Sequence, residues 1–197
     1  MSAAFERVDL RSIAPTPWKN GAGLTREIAA EPAGAAHFDW RFSLAEVGRD
    51  APFSAFPGIA RCIVLLRGAG MRLRSADGTL DHALDQALAP FHFSGDLPLA
   101  ASLIDGPCSD FNVMTRRGAW SCEVSVHREA GTLQGADAAM LLCSEGEWLV
   151  DAGSIQSLRP MQALLWRSRV APLAVRLAAA PQSGALLHAR LCHDHAS

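Results

Sequence analysis

Residues 39–46 (DWRFSLAE) alternate polar and apolar as far as Leu44, the period-two signature of a half-buried strand. Residues 62–66 (CIVLL) and 138–143 (AAMLLC) are short unbroken apolar runs bounded by glycine, the pattern of strands buried on both faces. Residues 119–126, 170–177 and 185–191 add further strand-like segments, the last of which also reads as a short helix. Phe91 and Phe93 alternate with His92, which places the imidazole on the opposite side of a strand from both rings. Gly and Pro break the chain often, and no long amphipathic helix competes with these segments. The pattern predicts an all-β fold, a sandwich or barrel.

An internal echo extends the prediction. Residues 65–73 (LLRGAGMRL) and 141–149 (LLCSEGEWL) share L-L-x-x-x-G-x-x-L at a spacing of 76 residues, each reading as a strand, a Gly turn and a returning strand. A repeat of this length points to two similar β-barrels in tandem. The expected organisation is one domain over residues 1–197, with halves near 1–109 and 110–197.

Composition narrows the function classes. The chain of 197 residues is 49% hydrophobic and 19% charged, enough for a sizeable core. A formal charge of −2 gives no electrostatic footprint for nucleic acid. No apolar run approaches the ~20 residues of a membrane-spanning helix, and the first ten residues lack the apolar core of a secretory signal. Five cysteines, an odd number with no C-x-x-C pair, fit reduced thiols and a cytoplasmic location.

Rare residues mark the candidate chemistry. Positive charge is written as 17 Arg and one Lys, there are two Asn, and there is no Tyr. Lys19 and Asn20 sit together in PWKNGAGLTR (17–26), and the second asparagine is Asn112 in DFNVMTRRG (110–118). An ammonium on a flexible stem and a carboxamide with both donor and acceptor suit a small polar ligand. Gly21 and Gly23 would let backbone approach that ligand, although neither phosphate-loop pattern is present. A plain loop with a solvated lysine explains the same window equally well.

These windows, with FDWRFSLAEV (38–47), PFSAFPGIAR (52–61), PFHFSGD (90–96) and GPCSDFNVMTRRG (106–118), resemble the HutD/Ves family of bacterial bicupins, in the family's order. The likeness covers residues 17–118; the C-terminal third matches only as generic strands. A third glycine common in the family's first motif is Ala22 here, which matters if that position needs positive φ. The resemblance implies two cupin barrels, an association with histidine utilisation, and a modulator sensing a pathway acid such as formylglutamate or urocanate. It attaches no secure catalytic activity.

Redox cupins bind metal through H-x-H, a following Glu and a later His. With Gly68 as the glycine closing that motif, the glutamate slot falls at Arg61 and the H-x-H slots fall within residues 54–57, which hold no ligand. A guanidinium there repels a cation and attracts an anion, so no metal or other cofactor is expected. His193-Asp194-His195 has metal-like spacing but lies at the chain end.

The expected site therefore binds a small anionic metabolite, formylglutamate- or urocanate-like. Arg61 and Lys19 would supply charge, and Asn20 and Asn112 would read an amide or formyl group. Thr25 would orient one of them, and Trp18 and Phe111 would form walls. The alternative is a metal-independent isomerase or hydrolase of a small acid, with Lys19 or Asp110 as general base; no residue is assigned a catalytic role. Neither nucleic acid nor membrane is an expected partner, and a homodimer is one oligomeric state open to the chain.

Overall fold

The computed structural model describes residues 4–35, 37–178 and 183–194. They form two units: residues 13–121, and residues 4–12 together with 122–194. Both consist of strands, apart from one 3₁₀ turn at Leu10–Ser12, so the all-β expectation holds.

In chain order the strands begin with β1 (Glu6–Asp9). The unit of residues 13–121 then contributes β2 (Thr16–Pro17), β3 (Gly23–Glu31), β4 (Trp40–Val47), β5 (Ala51–Phe53), β6 (Ile59–Arg67), β7 (Met71–Ser75), β8 (Asp81–Leu84), β9 (Pro90–Ser94), β10 (Leu99–Leu103) and β11 (Cys108–Arg116). They make a six-stranded sheet in the order β2-β3-β4-β11-β6-β9 and a four-stranded sheet in the order β5-β10-β7-β8. One apolar core joins the sheets: Val47, Ile63, Leu65 and Cys108 from the first pack with Phe53, Met71, Leu73, Leu84 and Leu99 from the second.

The other unit contains β12 (Trp120–His127), β13 (Gly131–Leu133), β14 (Ala138–Glu145), β15 (Trp148–Asp151), β16 (Ile155–Leu158), β17 (Gln162–Trp166), β18 (Leu173–Leu177) and β19 (Ala185–His193). Its sheets run β1-β17-β14-β19-β12 and β13-β18-β15-β16. Adding eight to each strand number of β4-β11-β6-β9 and β5-β10-β7-β8 reproduces both orders. The tandem repeat read at residues 65 and 141 is therefore a repeat of whole topology.

Three details differ from the sequence reading. Neither repeat copy is a paired hairpin: at Gly70 and Gly146 the chain leaves one sheet and enters the facing one. Gly70 has φ +93°, and a Cβ there would lie 1.9 Å from the Leu84 carbonyl oxygen, so only glycine makes that crossing. The halves do not divide at residue 109, because β11 is a central strand of its sheet with partners on both sides. Residues 6–9 also belong with the second half, since β1 pairs with β17. Residues 185–191, ambiguous between helix and strand, are strand: β19 runs unbroken beside β14.

Candidate functional site

Two-residue alternation decides what faces the interior of the 13–121 unit. On β6, Arg61 precedes the core residues Ile63 and Leu65 on one face. On β11, Met114, Asn112, Asp110 and Cys108 descend in the same way from mouth to floor. The polar half of this interior is a cavity of about 710 Å³, lined by residues that include Trp18, Lys19, Asn20, Thr25, Arg61 and Asn112. That size lies within the range of small-molecule sites. Six of the seven residues expected from sequence thus meet around one cavity. Phe111 does not. It points to the opposite face of β11 and stacks on Phe42, with centroids 6.1 Å apart, because its neighbour Asn112 faces inward.

Arg61 is 4% exposed. Its guanidinium carbon lies 4.6, 5.3 and 5.0 Å from the ring centroids of Phe53, Phe56 and Phe93, a cation–π enclosure. One terminal nitrogen donates to the Ser54 carbonyl at 3.1 Å and the other to Asn112 Oδ1 at 2.7 Å. Nε–H has no partner. Two of five donors are used, and the fork retains capacity for a carboxylate. Burial lowers its pKa to about 10, which the opposing attraction of Asp110 limits, so it is charged at neutral pH.

Asn112 is committed at both ends: Oδ1 accepts from Arg61, and Nδ2 donates to Asp110. It positions the arginine, whereas the sequence reading had it sensing a ligand amide. Asp110 is fully buried, with Oδ2 unpartnered. Burial at the edge of the apolar floor pushes its carboxyl up to about 7, against the pull of Arg61 and Asn112. With no exposed surface, it has no route to act as general base on a ligand.

The wall comes from the β2–β3 hairpin. Thr25 Oγ1 accepts the Trp18 indole N–H at 2.7 Å, so Thr25 fixes Trp18 and not an asparagine. Trp18 also meets Phe53 edge-on at 6.2 Å. Asn20 Oδ1 accepts from the Ala22 backbone N–H at 3.0 Å in an Asx turn, so its carbonyl holds the loop. Lys19 and Asn20 are exposed at the tip. Ala22 is buried and outside the positive-φ region that Gly21 occupies at +67°, so the missing glycine costs the turn nothing.

Sequence reasoning missed Arg41, Ser43, Glu27, Phe53, Phe56 and Met114, all of which line the cavity. The signal for Arg41 and Ser43 was the alternation of residues 39–46. Its polar positions read as facing solvent on the outside of the sheet, whereas both line the cavity.

Among the described residues no three His, Cys, Asp or Glu side chains cluster as a metal site. The cavity presents two guanidiniums, an ammonium, a single carboxylate and no imidazole, a set that does not fit a transition metal. His195 lies outside the described residues. No helix among them is long and apolar enough to cross a membrane.

A family model described as HutD matches residues 11–187. The chain belongs to the HutD family. Protein Ves of Escherichia fergusonii is 37% identical over 145 residues, 73% of this chain and 75% of that protein. A conserved protein of unknown function from Pseudomonas aeruginosa PAO1 matches with TM-score 0.85 and 28% identity, over 96% of this chain and 100% of the other. HutD from Pseudomonas fluorescens SBW25, solved in a formate condition, matches with TM-score 0.82 and 26% identity, over 98% and 100%. A cupin barrel protein of Leptotrichia buccalis, 10% identical with TM-score 0.58 over 96% and 97%, shares the fold alone. Together they make this HutD-family chain a bicupin.

Proposed function

We propose that the cavity of the 13–121 unit binds a small carboxylate metabolite and that the protein serves as a modulator or sensor in histidine utilisation, in the cytoplasm. The observation that carries this reading is Arg61: a buried, charged fork with an unpaired Nε–H at the base of a cavity. Lys19 and Arg41 add positive charge, against Glu27 and a carboxyl, Asp110, that is half neutral near pH 7. The phenyl rings lower the local dielectric and strengthen attraction to an anion. Family membership supports the histidine-utilisation link, and the formate condition of the Pseudomonas fluorescens structure agrees with a carboxylate ligand. Formylglutamate and urocanate carry the carboxylates this chemistry selects.

Isothermal titration with formate, then formylglutamate and urocanate, tests the reading. Arg61→Gln should weaken binding roughly ten- to a hundred-fold, about 1.5–3 kcal/mol for a charge-assisted bond. Asn112→Ala should weaken it less, through a loosened fork. Unchanged affinity in a folded Arg61→Gln protein sinks the assignment. Proton NMR of the same mixtures would show turnover if the protein were instead a metal-independent isomerase or hydrolase.

A further inference from the structure

We infer that Arg41 is a second carboxylate anchor in this cavity and that Glu27 is a built-in carboxylate occupying it, so that the site selects diacids able to displace Glu27. The inference rests on the reading that Arg61 receives a carboxylate.

The register places the two arginines. Met114 on β11 stands opposite Arg41 on β4 and Arg61 on β6. Strands at ~4.8 Å spacing set the two arginine Cα atoms about 10 Å apart, on the same face, across one intervening residue. Both side chains line the same cavity. Both Nε atoms are buried without a hydrogen-bond partner. The two cations also feel each other, since Arg41 opposes the charge on Arg61. Paired cations with unused buried donors suit an occupant with a negative group at each end.

Glu27 supplies one such group already. The row beside the arginines runs Glu27, Ser43, Asn112 across β3, β4 and β11, and a register shift between Glu27 and Ala29 sets the carboxylate at the edge of the arginine row. Glu27 Oε2 lies 2.8 Å from Arg41 Nε, yet that nitrogen makes no hydrogen bond. The proximity is an ion pair off the N–H axis. The Glu27 side chain is 46% exposed against 19% for Arg41, so the acid sits at the rim and the base within. A ligand carboxylate aligned with the fork gains the bond that Glu27 does not make. The other charged groups facing the cavity leave Arg41 to Glu27: Asp110 is linked to Arg61 through Asn112, and Lys19 sits at the exposed hairpin tip.

Titration of formate, succinate and glutarate into the wild type, Arg41→Gln, Glu27→Gln and Lys19→Gln tests this, with thermal melting to show folding. The wild type should prefer one of the diacids to formate. Arg41→Gln should reduce that preference about tenfold, the loss of one charge-assisted contact, and leave formate nearly unchanged. Glu27→Gln should raise the diacid-to-formate ratio several-fold, and Lys19→Gln, which removes a charge from the exposed rim, should change it less than Arg41→Gln does. Arg41→Lys, which keeps charge without the fork, should lie between wild type and Arg41→Gln and serves if the glutamine variant does not fold. A ratio insensitive to Arg41, abolished by Lys19→Gln, or unmoved by Glu27→Gln while both affinities rise together overturns the inference with the Arg61 reading intact. Absent formate binding in the wild type sinks the Arg61 reading itself.

Discussion

One position of the repeat carries opposite titrating groups in its two copies. Asp110 pairs in register with Leu65, and His188 pairs with Leu141, the residue 76 places on. Burial pushes Asp110 up to about 7 and His188 down to about 4, so both are driven toward their neutral forms. Between about pH 4 and 7 folded Asp110 holds a proton that the unfolded chain has released, so its contribution to stability falls as pH rises. Between about pH 4 and 6.5 unfolded His188 binds a proton that the folded state refuses, so its contribution rises with pH. Each slope approaches ~1.4 kcal/mol per pH unit, and the two oppose each other. Urea denaturation from pH 4.5 to 6.5 should therefore show Asp110→Asn gaining stability with pH and His188→Gln losing it, each relative to the flatter wild type. Parallel pH profiles for all three proteins would contradict this assignment. Neither shift was legible in sequence, because D-F-N and L-H-A do not say which residues sit on the floor.

The β2–β3 hairpin shows how an element builds a wall. A Cβ at Gly23 would lie 2.5 Å from the Glu46 carbonyl oxygen on the paired strand and 3.2 Å from the Trp18 ring. Gly23→Ala must therefore push β3 away from β4 or expel the indole, at ~1–3 kcal/mol. At Gly21 the nearest atom is the flexible tip of Arg49 at 3.0 Å, and Gly21→Ala mainly incurs its φ of +67°, about 1–2 kcal/mol. Chemical denaturation should find both destabilised, with only Gly23→Ala also weakening formate binding. Equal formate affinity in Gly23→Ala and wild type would remove the hairpin from the site. Thr25→Val, which leaves the indole N–H without its acceptor, should cost ~1 kcal/mol and move tryptophan fluorescence. Sequence flagged this window by its rare Lys and Asn. It named Trp18 as a wall and Thr25 as the partner of an asparagine, but could not show that the two bond each other, because side-chain pairing across a hairpin depends on register.

At the scale of the whole molecule, one topology is used twice with different fillings. In the 13–121 unit β2 and β3 extend the six-stranded sheet beyond β4 and help line the cavity. In the other unit the corresponding edge is β12, and Trp148 and Trp166 are buried in a core of leucine, valine and alanine. Counting 76 residues on from Arg61 gives Asp137, and Arg190 takes the place of Asn112 by register, since it pairs with Ala139 as Asn112 pairs with Ile63. Asp137 accepts from the His193 backbone N–H at 3.0 Å, and Arg190 donates to the Gly135 carbonyl and to Glu123. Both are spent on structure. Trp148→Phe, which shrinks the core and drops the indole bond to Glu145 O, should lower stability by ~1–3 kcal/mol while formate affinity stays at the wild-type value. Weakened formate binding in that variant would place the site elsewhere.

Strand positions followed from alternation and from apolar runs, since a two-residue period states which side chains a sheet must bury. The doubling of the fold followed from L-L-x-x-x-G-x-x-L, whose glycine makes, at Gly70, a crossing no other residue tolerates. The charge of the cavity was legible at Arg61, a cation where counting back from Gly68 expects the carboxylate of a metal-binding cupin. Tertiary structure alone turned Arg41 and Ser43 inward, put Phe111 on the wrong face for a wall, and tied Asn112 between Arg61 and Asp110. Those outcomes depend on which strands become neighbours and in what register. Residues far apart in the chain settle that together, and no single segment carries it.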